Sequence, residues 1–198
     1  LLASSAASDV YKRQVIDGDA KEVKQLYELM KGLEEREKPS VENDFGTSWL
    51  GCLVDALGKD WQDIHCRGSW SELEMDSDVL KFFTETAWSP CNETFDLVRE
   101  AFPSLRYYFQ AEEPGMCIYE TNDEYGTYFT DRFFLDVCTP NEEYFSEYFE
   151  QQEDAFAWFE EEFGEPIRSV EDVEALDAEW SEQCENAFCY LHEFEIVS

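Results

Sequence analysis

Gly68 to Ala87 reads GSWSELEMDSDVLKFFTETA. Upstream, the apolar residues recur every three or four positions. From Gly68 the period changes to two, with Trp70, Leu73 and Met75 before the polar triplet Asp76-Ser77-Asp78 and the run 79–87 after it. Successive side chains of a strand point to opposite faces, so this stretch predicts two strands joined by a tight turn. Alternation of this kind suits a sheet buried on one face by helices.

Working outward, Val15-Ile16-Asp17-Gly18-Asp19 has the character of a strand end running into a turn. Val23, Leu26, Tyr27, Met30 and Leu33 predict an amphipathic helix over 20–36. Residues 37–45, with Pro39, form a loop, and Trp49 to Leu57 a short helix closed by Gly58. Downstream, Phe95, Val98, Ala101 and Phe102 mark a helix over 92–102, with Asn92 or Thr94 as its cap and Pro103 as its stop. A strand follows over Leu105 to Ala111. Pro114-Gly115 turns the chain, and 116–120 returns as a hairpin partner. Strand, helix, strand, strand, helix, strand is the order of a ferredoxin-like fold, an antiparallel sheet with two helices on one face.

The C-terminal part predicts a separate α+β extension. Strands are expected over 132–137, 144–149 and 188–197. A helix bearing Phe156, Phe159 and Phe163 ends at Gly164, and another opens at Ser169 with Asp172 three residues on. The expected division is therefore 1–14, a ferredoxin-like domain over 15–137, and the extension over 138–198. No internal repeat is visible.

The chain has 198 residues and a formal net charge of −33, from 14 lysines and arginines against 47 acids. Its 16 Phe, 10 Tyr and 6 Trp set it apart from disordered acidic chains, which are poor in aromatics. So much negative charge repels phosphate backbones and favours basic partners, so direct nucleic-acid binding is not expected. Asn141 to Ser198 carries 19 acids against one base, Arg168. The seven cysteines are odd in number and irregular in spacing, which reads as reduced, mostly buried thiols of a cytoplasmic protein. No apolar run approaches membrane-spanning length, so no membrane association is expected.

Two motifs carry a family resemblance. The first is Trp49-Leu-Gly-Cys-Leu-Val54-Asp55-Ala-Leu57-Gly58-Lys-Asp-Trp61, and the second Thr86-Ala87-Trp88-Ser89-Pro90. With Phe102-Pro103-Ser104-Leu105 and Glu112-Glu113-Pro114-Gly115, they resemble the YubB ferredoxin-like family, also described as Api-like proteins, over about residues 15–135. The first motif keeps that family's spacing, outer tryptophans and glycine, but has Ala56-Leu57 where Asn-Trp is usual. The resemblance implies a ferredoxin-like fold and a bacterial mobile-element or plasmid setting, and it implies no reaction.

Ser4 to Gln14, SSAASDVYKRQ, resembles the translation of a transposase sequencing adaptor. Residues 1–14 are accordingly read as a non-native scar on a metagenomic sequence. They are expected to be loosely attached, with few side chains in the core, and their deletion to change stability by no more than about 0.5 kcal/mol.

Trp49, Trp61 and Trp88 stand at element ends, where aromatics ordinarily pack the core. The same indoles suit a half-wet groove for a partner, so Trp49, Gly58, Trp61, Trp88, Ser89 and Pro90 are the candidate interaction residues. Cys184, Cys189 and His192, with His65-Cys66 elsewhere, lack the paired spacing of a zinc site, and Cys189 and His192 are expected on opposite faces of one strand. Neither histidine stands in a catalytic motif, and no phosphate-binding glycine loop or dinucleotide fingerprint is present. Asn92-Glu93-Thr94 matches a glycosylation acceptor without a secretion signal to make use of it. The expectation is a non-enzymatic interaction module with no catalytic residue, metal or cofactor. The alternative is an acidic DNA mimic that inhibits nucleic-acid-binding proteins by charge.

Overall fold

β1 (Asp9–Asp17) lies between two antiparallel neighbours. It pairs with β3 (Val79–Ala87) from Asp9↔Ala87 to Ile16↔Leu80, and with β4 (Arg106–Glu113) from Tyr11↔Glu112 to Asp17↔Arg106. The computed structural model describes residues 9–87 and 90–197. The chain is α+β and divides into two units, Leu1–Asn122 and Asp123–Ser198.

In the first unit the strands run in the order β2-β3-β1-β4-β5, with β2 (Gly68–Asp76) and β5 (Ile118–Thr121) completing the series. The hairpin turn is where the sequence places it, and Ser77 takes a left-handed φ of 57° there. α1 (Ala20–Glu34), α2 (Leu50–Ala56) and α3 (Asn92–Ala101) bury one common core. Val23, Leu26, Met30 and Leu33 of α1 meet Leu53, Phe95 and Val98 over Ile16, Leu80 and Phe82 of the sheet. Asp19 caps α1 by accepting from the Lys21 and Glu22 amides, and Glu22 accepts from the Ser104 amide and hydroxyl. At Gly18, where φ is 151°, a Cβ would stand 2.6 Å from the Ser104 carbonyl, so only glycine lets these two turns meet.

The cap of α3 differs from the expectation. Cys91 occupies it without a side-chain bond. Asn92 Oδ1 instead accepts from Lys12 Nζ at 2.7 Å, and the Thr94 hydroxyl donates to the His65 carbonyl at 3.1 Å. Both polar groups are taken up by tertiary partners that sequence spacing does not reveal.

The expectation for residues 1–14 is corrected where the structure describes them. Residues 9–14 are not loosely attached: they build most of the central strand, and Val10, Lys12 and Gln14 are buried. Strand alternation puts them on the same face as Ile16, under the helices. The Lys12 ammonium lies 3.7 Å from the Phe109 ring centroid, and burial drives it down to about 7 against the pull of Cys91 and Glu120. Gln14 Nε2 donates to Thr84, but its Oε1 is buried without a partner among the described residues.

The boundary also moves. The second unit begins at Asp123 rather than at 138, because β6 (Phe133–Cys138) pairs with β7 (Tyr144–Phe149) and β8 (Phe188–Glu193) in a separate sheet, ordered β7-β6-β8. Asp123 starts this unit with a tight loop, accepting from the amides of Thr127, Tyr128 and Phe129. α4 (Gln152–Phe163) ends at Gly164 in the left-handed region, and Ser169 caps α5 (Val170–Gln183) through the Asp172 amide. Phe156, Phe159, Val173, Leu176 and Trp180 cover one face of β6 through Leu135 and Val137. The expected strand over 188–197 breaks at Phe194, leaving β9 (Glu195–Ile196) as a two-residue strand.

Deleting residues 9–14 removes the pairing partner of both β3 and β4, so the first unit should lose its cooperative thermal transition. Replacing Lys12 with Met should raise stability by about 1–3 kcal/mol in a denaturant titration, since an apolar side chain avoids the cost of burying the ammonium. In the parent chain, the unfolded lysine keeps a proton that the folded one releases above about pH 7, so stability should rise from pH 7 towards 9. Above pH 9 the unfolded thiols ionise while buried Cys66, Cys91 and Cys189 do not, and the trend should reverse. Lys12→Met should abolish the rise and keep the fall; a rise that survives the substitution contradicts this assignment.

Candidate functional site

Trp49 immediately precedes α2 and forms an isolated bridge with Ser69, while the Trp70 amide donates to the Ser48 carbonyl at 3.0 Å. These bonds lay the 48–49 segment along the edge of β2. The indole then folds back over Gly51, where a Cβ would lie 2.3 Å from the ring. Trp49 is 5% exposed, and its Nε1 is buried with no hydrogen-bond partner among the described residues. Phe45 stacks on it at 5.8 Å and 16°, and Trp61 meets it edge-on at 5.1 Å and 68°.

The two flanking loops are held by side-chain bonds. Asn43 Oδ1 accepts from the Phe45 and Gly46 amides, while its Nδ2 donates to the Val41 carbonyl. Asp60 accepts from the Gln62 amide at 2.9 Å. The His65 amide donates to Glu93 Oε2 and its carbonyl accepts from Thr94, so α3 pins this loop at one residue twice. Cys66 Sγ lies 3.5 Å from the Trp61 carbonyl, and burial pushes its thiol up to about 11.

Between the loops is an open groove of about 570 Å³, lined by Phe45, Trp49, Trp61, Ile64, His65 and Arg67 among others. That volume lies in the range of small-ligand or side-chain pockets. The lining offers aromatic faces, an imidazole, a guanidinium and a thiol held protonated at neutral pH. It is suited to taking up an apolar group with a polar attachment.

Of the six candidate residues, Trp49 and Trp61 come together here. Gly58 lies outside the groove and takes a φ of 83° just beyond α2, which turns the chain into the Trp61 loop. Pro90 leads into α3 and does not line the groove. Trp88 and Ser89 lie outside the described residues. Sequence spacing missed Phe45, Ile64, His65 and Arg67, which come from loops without periodicity. The Asn43-Asp44-Phe45-Gly46 turn was the available signal.

The cysteine and histidine residues are dispersed. Cys189 belongs to the helix-covered core, whereas His192 stacks with Phe134, whose side of β6 faces away from the helices. Among the described residues no three His, Cys, Asp or Glu side chains converge as a metal site. All seven cysteines are free; Cys117 is exposed and Cys184 half-buried. No described helix is long and apolar enough to cross a membrane. No family model, curated protein or solved structure matches the chain.

Gly51→Ala tests how the groove is built. The added methyl displaces the Trp49 indole, with an expected cost of about 1–3 kcal/mol for overpacking. The near-ultraviolet circular dichroism from tryptophan should change while the far-ultraviolet spectrum is kept. An unchanged near-ultraviolet spectrum contradicts the stated packing.

Proposed function

We propose that this chain is a non-enzymatic cytoplasmic interaction module that holds another protein through the Phe45–Trp49–Trp61 groove. The observation that carries the reading is the groove itself. Three aromatic rings line a cleft whose walls are tied by Asn43, Glu93 and Thr94, and one wall holds an indole N–H without a partner among the described residues. Aromatic side chains in a rigid cleft are the usual anchors of protein recognition. The order β2-β3-β1-β4, with α1 and α3 in one core, supports placing the first unit in the ferredoxin-like class. The two tryptophan motifs support kinship with the YubB family of bacterial mobile elements. The adaptor-like string supports a foreign origin for Ser4 to Gln14, and the burial of two polar side chains, Lys12 and Gln14, on the central strand agrees with it.

The alternative, a DNA mimic, draws on the second unit, where 23 acids face only Arg132 and Arg168. The two readings respond differently to salt, since screening acts over roughly 10 Å at 0.1 M and spares desolvated contacts. Immobilised chain should retain a protein from bacterial lysate at both low and high salt, and Trp61→Ala should release it. Retention lost with salt and with neutralised acids in 141–198, but indifferent to Trp61→Ala, supports the mimic instead. Retention of nothing at either salt removes both.

A further inference from the structure

The second unit's sheet has a face that neither α4 nor α5 covers. Leu135 and Val137 of β6 lie in the helical core, as do Cys189 of β8 and, at its margin, Phe145, Phe149 and Leu191. Strand alternation therefore directs Asp136, Tyr144, Ser146, Phe188 and Tyr190 to the opposite face. The register sets this face in three adjacent rows: Tyr144, Cys138, Phe188, then Ser146, Asp136, Tyr190, and then Tyr148, Phe134, His192. Tyr144 is 70% and Tyr190 46% exposed, and Phe188 and Tyr190 stack at 5.1 Å and 14°.

Asp136 sits on the central strand amid these rings. It is half-buried, and among the described residues it accepts from the Ser146 hydroxyl over a long 3.5 Å. His192, one row on, is the imidazole that faces it, and each favours the charged form of the other. Burial outweighs that attraction at both, holding the Asp136 carboxyl above the usual carboxylate range and His192 below the usual imidazole range, so His192 is a weak cation for Asp136 at neutral pH. The unit around this face carries 23 acids against two bases, a net of −21. Those acids form no metal site among the described residues, so a partner with spaced cations matches them better than a single ion. A guanidinium is the cation that answers both halves of this surface. Its planar fork bonds a carboxylate, and its face stacks on aromatic rings.

We propose that this face binds arginine side chains of a basic protein segment, with Asp136 accepting from the guanidinium and Tyr144, Phe188 and Tyr190 flanking it. The site is independent of the tryptophan groove. It also differs from charge mimicry, because the rings and one carboxylate select the cation while the surrounding acids only concentrate it.

The test uses the full chain and fluorescent hexapeptides of alternating arginine and alanine, or lysine and alanine, read by anisotropy at low salt. The arginine peptide should bind at least about threefold more tightly than the lysine peptide, because only arginine bonds bidentately and stacks. Asp136→Asn, which is nearly isosteric, and Tyr190→Leu should each weaken it about tenfold. Neutralising Glu160, Glu161 and Glu162 together, exposed on α4, should cost less than about threefold, the size of a screened surface effect. Trp61→Ala should change nothing, which separates this site from the groove. Circular dichroism of each variant checks that the fold is kept. The proposal is overturned if the triple neutralisation costs as much as Asp136→Asn, if the two peptides bind equally, or if neither binds.

Discussion

Double-sided pairing of β1 is the constraint on which the first unit rests. A central strand takes its hydrogen bonds from both neighbours, so β3 and β4 are held at their distance and register by nine residues between them. The helical layer follows from that spacing, since α1 and α3 pack over the side chains that β1, β3 and β4 turn to one face. β1 is also where composition and position disagree most. A lysine and a glutamine occupy its buried side, answered in part by Asn92, Phe109 and Thr84. The strand persists because backbone pairing does not depend on side-chain identity, and because tertiary partners reduce the cost of the buried polar groups.

The groove inherits its rigidity from the same layer. Its rings come from the loop before α2, the start of α2 and the loop before β2, and none of these has an internal ladder of its own. Glu93 and Thr94 at the start of α3 take both backbone groups of His65, so a helix seated on the sheet fixes the far wall. The near wall depends on the absence of a side chain at Gly51, over which Trp49 lies. A polar turn, a glycine and a capping segment thus convert a buried tryptophan into one side of an opening.

The second unit follows a different logic. Its core is small and aromatic, with Phe163 edge-on to Trp158 and Trp180, and this compact packing tolerates a dense acidic exterior. The carboxylates stay spread, with no metal-holding group among the described residues. Asp136 is the exception, because register alone places a single acid of the central strand amid tyrosine and phenylalanine.

Periodicity in the sequence determined most of the elements: α1, the β2–β3 hairpin, α3, β4, the Gly164 and Ser169 boundaries, and the α+β class. These are local signals, read from spacing of three to four or of two and from capping residues. The acidic excess is likewise a property of composition. Tertiary structure decided the rest. The role of 9–14 was hidden because a polar hexapeptide becomes a central strand only when two distant strands flank it. The boundary at Asp123 was hidden because β6 finds its partners in β7 and β8, one of them 50 residues further on. Of the candidate site, Trp49 and Trp61 were legible as paired tryptophans at fixed spacing. Phe45, His65 and Arg67 were not, since loop residues converge through long-range hydrogen bonds that leave no period in the chain.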